Sequence, residues 1–446
     1  MRHLEATVRV KKVCWWTFVM SFWLMGYAIT GWALSPSDFR TEDCSGASVP
    51  AGSTRIFIAD RTDGKAGTGT LSDPYDGSSA EKLDTLLRGR SESEVANLIV
   101  CIGPGMFQTE GTGDFLIGSG HVNKDHPTGF TVNRAWKVHG AGEERTTLRL
   151  ADLSKYPNGK VLEGIIIGTY NFDASGVEVS HMTLDDNYPA LKALYKSDLE
   201  LLGVMLRSGH GHQWIHNIHV MNTSGEGPED FPVGITSQSP TPENSDNVIE
   251  YVTMDHWFGG LCTAIVIAGG SGEIRHNTVT GYQIGYGGWS MLDVKFHDNT
   301  ARETSYGFNI DSLENSKIEI AFNMIERPQL YGIVVGGSGH FTDFSIHDNT
   351  IIAGPKTVYG LVFQGNVHGA HVLRNKITAN GPAANMTGFI EKNSQNLNNV
   401  FQENVVNSSF KNSLQGSNCL WGNVSERGAQ RADLRNTTGD KCISGD

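Results

Sequence analysis

The chain has 446 residues, 53 of them glycine, and a formal net charge of −13. That length fits one large domain, since no charge run or Pro/Ser-rich hinge interrupts its middle, and the glycine content fits turn-rich β structure. The acidic balance disfavours nonspecific nucleic-acid binding, and any acidic polymer would need a local basic patch or a bridging cation.

At the start, Lys11 and Lys12 precede an apolar run from Val13 to Ile29, and the small residues Gly31 and Ala33 follow it. This pattern predicts a secretion signal over residues 1–33, cleaved near Ala33. The alternative is a retained membrane anchor, because a run of about 17 apolar residues nears spanning length. Removing residues 1–33 takes away four basic residues and one acidic one, leaving 31 basic, 47 acidic and a net charge of −16. Export to the periplasm or the medium permits disulfides. Cys44 with Cys101 would tie down the N-terminus, and Cys419 with Cys442 would staple the tail, leaving Cys262 over. There is no CxxC or Cys/His zinc spacing.

Residues 34–137 alternate between patterns. Ile56 to Ala59 reads as a strand, Gly64 to Gly69 as a glycine-rich loop, Ser79 to Arg88 as a helix, and Leu98 to Ile102 as a strand before Gly103-Pro104-Gly105. Val138 to Gly142 followed by Leu148 to Leu150 reads as the first full coil of a repeat.

The repeat then declares itself through six asparagines: Asn277, Asn299, Asn323, Asn349, Asn375 and Asn404, spaced by 22, 24, 26, 26 and 29 residues. Each sits in one frame: apolar, two variable residues, Asn, one variable residue, apolar. Ile274 to Val279 and Ile346 to Ile351 are examples, while Val179 to Leu184, Ile215 to Val220 and Ile249 to Met254 keep the frame without the Asn. A second apolar segment precedes each frame, often opened by glycine, as at Gly164, Gly234 and Gly332. A period of this length marks a repeat architecture, and apolar spacing of two rather than 3.6 makes its elements strands. Each coil therefore reads as strand, glycine turn, strand, Asn bend, short strand, loop. The Asn is expected to adopt the left-handed bend itself and to stack its amide on the Asn of the next coil. The predicted fold is all-β, a single solenoid of about ten coils over residues 138–420 with residues 421–446 as a tail.

This pattern resembles the right-handed parallel β-helix of the pectate-lyase-like superfamily, over residues 55 to 420. That superfamily includes pectate lyases, polygalacturonases, alginate lyases and epimerases, and phage tailspikes. The resemblance implies that residues 34–137 form a strand–helix–strand cap over the open apolar end. It also implies a secreted carbohydrate-active protein acting on an extended polysaccharide that contains uronic acid. Gly209-His210-Gly211 is similar to a short phrase of the polygalacturonases, in which a His follows paired aspartates. Asp185 and Asp186 lie one coil earlier, but the other phrases of that family are missing. Pectate lyases hold calcium with clustered acids, and Asp185, Asp186 and Asp230 would be the counterparts here, without EF-hand spacing.

The residues themselves point to two places. One loop is expanded in three successive coils, over Asp186 to Leu201, Asn222 to Phe231 and Asp255 to Cys262. Stacked, these loops should build one wall, and loops on a rigid scaffold are where sites reside. Asp185, Asp186, Asn222, Asp255 and His256 stand at its root, and Arg302, Glu303, Glu326 and Arg327 continue the same columns. The second place is Arg207 to His212. In β-elimination or C5 epimerisation a base removes the C5 proton while a cation neutralises the carboxylate. Arg207 would be that cation, and His210 or His256 the base. In a hydrolase, Asp185 or Asp186 would pair with Asp255 two coils away, about 10 Å. Trp257 would stack on sugar rings, with His212, Asn222 and Arg302 as further substrate contacts. A carbohydrate-binding or adhesion solenoid would need the groove aromatics but no converging acid, base and cation.

Overall fold

The computed structural model describes residues 33–112, 129–151, 162–169, 175–194, 199–207, 211–226, 233–239, 245–260, 262–311, 315–337, 339–379, 386–393, 396–406 and three short strands between 419 and 433. The chain folds as a right-handed parallel β-helix. Each coil contributes to three faces, and almost all pairings between coils are parallel.

The register explains why the repeat frame works. On the first face Val138, Val179, Ile215, Ile249, Ile274, Phe296, Ile320, Ile346, Val372 and Phe401 form one column of Cα partners. All ten side chains are buried. They are the residues that open each frame. The residues that close it, among them Leu184, Val220, Met254, Val279, Ala301 and Ile325, form the inward column of the second face. The third face contributes Val204, Ile235, Ile265, Tyr286, Phe308, Ile333, Leu361 and Phe389. Alternation along a strand sends every second residue inward, and parallel stacking repeats that choice coil after coil.

Stacking begins earlier than Val138. Strand Thr54–Ala59 pairs in parallel with Leu98–Ile102, which pairs with Lys137–Gly140. Between them runs helix Ala80–Glu92, capped by the Ser79 side chain and burying Leu83 and Leu87. A disulfide joins Cys44 to Cys101 across 57 residues, while the side chains of Cys419 and Cys442 lie outside the described residues. Cys262 keeps its thiol in the core. Among the described residues no helix is long and apolar enough to cross a membrane, and residues 1–32 lie outside them.

The asparagine ladder is continuous. Asn299 Nδ2 donates to Asn323 Oδ1 at 3.1 Å and to the Ile274 carbonyl at 2.7 Å. Asn323 and Asn349 repeat the pattern to their successors at 2.9 Å. One expectation is corrected. The left-handed residue is not the Asn but the one before it: His276, Asp298, Phe322, Asp348, Arg374 and Glu403 all have φ between +51° and +57°. The bend at that position swings the following Asn inward, where its amide serves the coils above and below. A left-handed non-glycine residue costs about 1–2 kcal/mol, which the buried amide bonds offset.

Candidate functional site

The three expanded loops do pack into a wall. Helix Tyr188–Leu194 belongs to the first. Its Tyr188 ring stacks on Phe258 of the third loop at 4.9 Å. Tyr188 Oη and Lys192 Nζ both donate to Glu226 of the second loop, at 2.8 and 2.7 Å. The second and third loops meet through a bridge between Gly225 and Gly260. A Cβ on Gly260 would lie 1.7 Å from the Gly225 carbonyl oxygen, and its φ is +82°, so only glycine fits this approach.

At the foot of the wall the predicted residues divide. Asp185, Met221 and Asp255 are successive Cα partners, so the two aspartates stand two coils apart, about 10 Å. Asp185 is buried and committed: Arg149 donates to Oδ2 at 2.7 and 2.8 Å, and Asn222 Nδ2 donates to Oδ1 at 2.7 Å. Asn222 is therefore a clamp on Asp185. Asp186 points into the core, fully buried, with neither carboxyl oxygen bonded. An Asp185 or Asp186 pairing with Asp255 for hydrolysis thus lacks an open partner. The calcium cluster is not assembled among the described residues either, for Arg149 neutralises Asp185, Asp186 faces inward, and Asp230 lies outside them. Trp257 is half-buried against the core beside Tyr282, with its Nε1 buried, so its ring serves packing under the loop. Arg302 donates to Glu326 of the next coil at 2.7 Å, as a solvated corner pair.

Asp255 is different. Its Oδ1 accepts from His256 Nδ1 at 2.5 Å and from His219 Nε2 at 3.0 Å. Burial pushes its pKa up, but these two bonds outweigh burial and hold the carboxyl below its usual range. The His256 side chain is 60% exposed and that of His219 27%. One coil earlier, Thr183, the Cα partner of His219, donates to the Glu143 carbonyl at 2.7 Å. Burial pushes the Glu143 carboxyl up, although the His219 charge opposes this. The corner thus carries an Asp255 carboxylate holding two imidazoles, and the Glu143 carboxyl, raised by burial, lies in the charge range of His219. Glu143 and His219 escaped the sequence reading because neither belongs to a loop insertion, and only stacking brings Glu143 into the charge range of His219 and His219 against Asp255.

Arg207 is not part of this corner. It ends strand Leu199–Arg207, whose Leu201 pairs with Ser224 of the wall. Six residues at about 3.3 Å each place it roughly 20 Å away. The side chain of Arg207 and all of His210 lie outside the described residues. His212 follows on the turn back to the first face, exposed, with φ +57°. Extended β-strands separate residues that the chain order places close together, so Arg207 does not join Asp255 and His256, while the expected role of His210 lies outside the described residues.

The outer surface of the first face adds a polar line. His216 Nε2 lies 3.1 Å from Glu178 Oε1, and the Trp214 ring stacks on His216 at 4.0 Å. Trp214 Nε1 and Arg275 Nε both donate to Glu250 at 2.8 Å. His181 beside them is held neutral: burial, then the His216 and His139 charges, lower its pKa to about 4. Beyond Arg275 a cleft of about 650 Å³ is lined by Asp246, Glu273, Asp293, Lys295 and Lys317.

Asp186 allows a direct test. Burial, then the Asp185 charge, holds its carboxyl well above the usual range, so the folded state keeps a proton that the unfolded chain releases near pH 4. The stability contribution of Asp186 is full below that pH and is lost as pH rises toward the folded-state pKa, by up to about 1.4 kcal/mol per unit. Asp186→Asn is expected to be neutral at low pH and to gain Tm over the wild type as pH rises. A Tm difference that stays constant with pH would contradict this.

No family model and no curated relative matches the chain. Solved structures do resemble it. The Azotobacter vinelandii mannuronan C-5 epimerase AlgE6 A-module is 14% identical, covering 78% of this chain and 94% of its own, with a TM-score of 0.42. The catalytic domain of a GH87 α-1,3-glucanase in complex with nigerose is 14% identical over 84% of this chain and 70% of its own, TM-score 0.43. A tailspike of E. coli bacteriophage HK620 in complex with a pentasaccharide is 11% identical over 77% and 61%, TM-score 0.46. The likeness is one of architecture.

Proposed function

We propose that the protein acts on an extended uronate-bearing polysaccharide by β-elimination or C5 epimerisation at the corner formed by Glu143, His219, Asp255 and His256. The observation that supports this is the single Asp255 oxygen orienting two imidazoles on an open surface, with the carboxyl of Glu143, raised by burial, in the charge range of one of them, His219. His256 donates Nδ1–H to Asp255, so Nε2 is the proton acceptor for C5. Glu143, its carboxyl raised by burial, returns a proton. In elimination that proton goes to the departing glycosidic oxygen, and in epimerisation to the opposite face of C5. His219, held on the same carboxylate, supplies positive charge beside the substrate carboxylate when protonated. Groups whose environments push their protonation apart divide into acid and base.

The test is incubation of the purified protein with a panel of uronate and neutral polysaccharides. Unsaturated products absorbing in the ultraviolet, or an altered C5 configuration by NMR, are the expected results. New reducing ends alone would make the protein a hydrolase and overturn the reading, as would retention of a polymer with no change to it. That last outcome would favour a binding solenoid, for which the third face offers an aromatic column. Tyr306 tilts against Tyr331 at 5.1 Å and Tyr331 stacks on Tyr359 at 5.4 Å, with Lys392 Nζ 4.8 Å over the last ring.

A further inference from the structure

Where the N-terminal segment crosses the first face, Asp43, His139 and Glu178 present three potential ligand atoms within 4.8 Å of one another. They come from three separate stretches of chain. The Cys44–Cys101 disulfide anchors the segment that carries Asp43, and adjacent strands of the helix carry His139 and Glu178. His139 is fully buried, and its Nε2 has no hydrogen-bond partner. That nitrogen faces Asp43 Oδ2 at 3.6 Å, beyond hydrogen-bond length. On the other edge of the ring, Nδ1 lies 2.7 Å from Ser180 Oγ, an outer partner of the kind that fixes a ligating imidazole. In the tautomer that donates Nδ1–H to Ser180, the Nε2 lone pair faces the Asp43 carboxylate, and a cation between them would be held by both.

We infer that Asp43, His139 and Glu178 form a binding site for a divalent transition metal of the zinc type, which clamps the N-terminal segment onto the first face. Zinc bonds of about 2.0–2.2 Å set neighbouring ligand atoms roughly 3.4 Å apart, so a contraction of up to about 1.4 Å completes the set. The donors are one imidazole and two carboxylates, with the fourth position left to water. His216 Nε2, 3.1 Å from Glu178 Oε1, competes for one carboxylate, and Lys137 competes for both. Its Nζ lies 2.7 Å from Asp43 Oδ2 and 3.3 Å from Glu178 Oε2, but its side chain is 36% exposed on a flexible stem. It can swing outward when a dication takes over the charge.

The experiment uses untagged full-length protein, stripped with chelator and then equilibrated with Zn²⁺. Metal retained after desalting and Tm with and without zinc are both read. One zinc per chain and a raised Tm are expected. His139→Gln and Glu178→Gln should lose the bound zinc and the Tm response while matching the stripped wild type in far-UV circular dichroism. Lys137→Met should bind zinc roughly tenfold more tightly, because a competing charge about 4 Å away is gone. The proposal is overturned by no retained zinc, by stoichiometry unchanged in His139→Gln and Glu178→Gln, or by unchanged or weaker binding in Lys137→Met. If His139→Gln fails to fold, Lys137→Met decides the matter alone.

Discussion

Asn323→Ala is expected to cost roughly 3–6 kcal/mol of unfolding free energy, because it strands several buried groups at about 1–3 kcal/mol each. In the folded protein Asn323 Oδ1 accepts from Asn299 N and Nδ2 at 2.9 and 3.1 Å. Its Nδ2 donates to the Phe296 carbonyl and to Asn349 Oδ1, both at 2.9 Å. Alanine removes both the donor and the acceptor, and the interior offers no water to replace them. The left-handed bend at Phe322 then loses the bonds that hold it. Urea denaturation followed by circular dichroism measures the loss. The double variant Asn299→Ala with Asn323→Ala should cost less than the sum of the singles, since each first removal already breaks the shared bonds. A loss below about 1 kcal/mol in the single variant would show that the ladder is not what holds the bends.

The second large effect concerns chemistry. His256→Gln should lower kcat on the responsive polysaccharide by about 10²–10⁴, the usual contribution of a positioned base, with little change in KM or Tm. Exposure of the side chain makes a folding defect an unsuitable explanation for such a loss. Asp255→Asn should also lower kcat, because the neutral amide lacks the charge that strengthens the bonds to both imidazoles. Single-turnover kinetics on purified variants read both effects. Full activity in His256→Gln would remove this imidazole from the reaction and with it the proposed corner.

The wall shows how far loop lengths alone can lead. Three insertions at one corner predict a single wall, and Tyr188, Glu226 and Phe258, one from each loop, do meet. What loop lengths cannot show is which way a residue faces. Asp185 and Asp186 are neighbours in sequence, yet one lies outward under Arg149 and the other inward without a bond. The period of two sends them to opposite sides of the strand, and the adjoining bend decides which is which.

The repeat of apolar residues and asparagines determined by itself that the chain winds in stacked coils. A periodic core needs only one residue of the right kind at each turn, and such a pattern is written locally. The choice of site was decided by tertiary structure. Glu143, His219 and Asp255 lie on three coils, and no local pattern ties one to another. Their meeting depends on register, on the depth at which each side chain ends, and on the neighbour that takes up its charge. Those are properties of the packed solenoid, so Arg207 leaves the corner and Glu143 joins it.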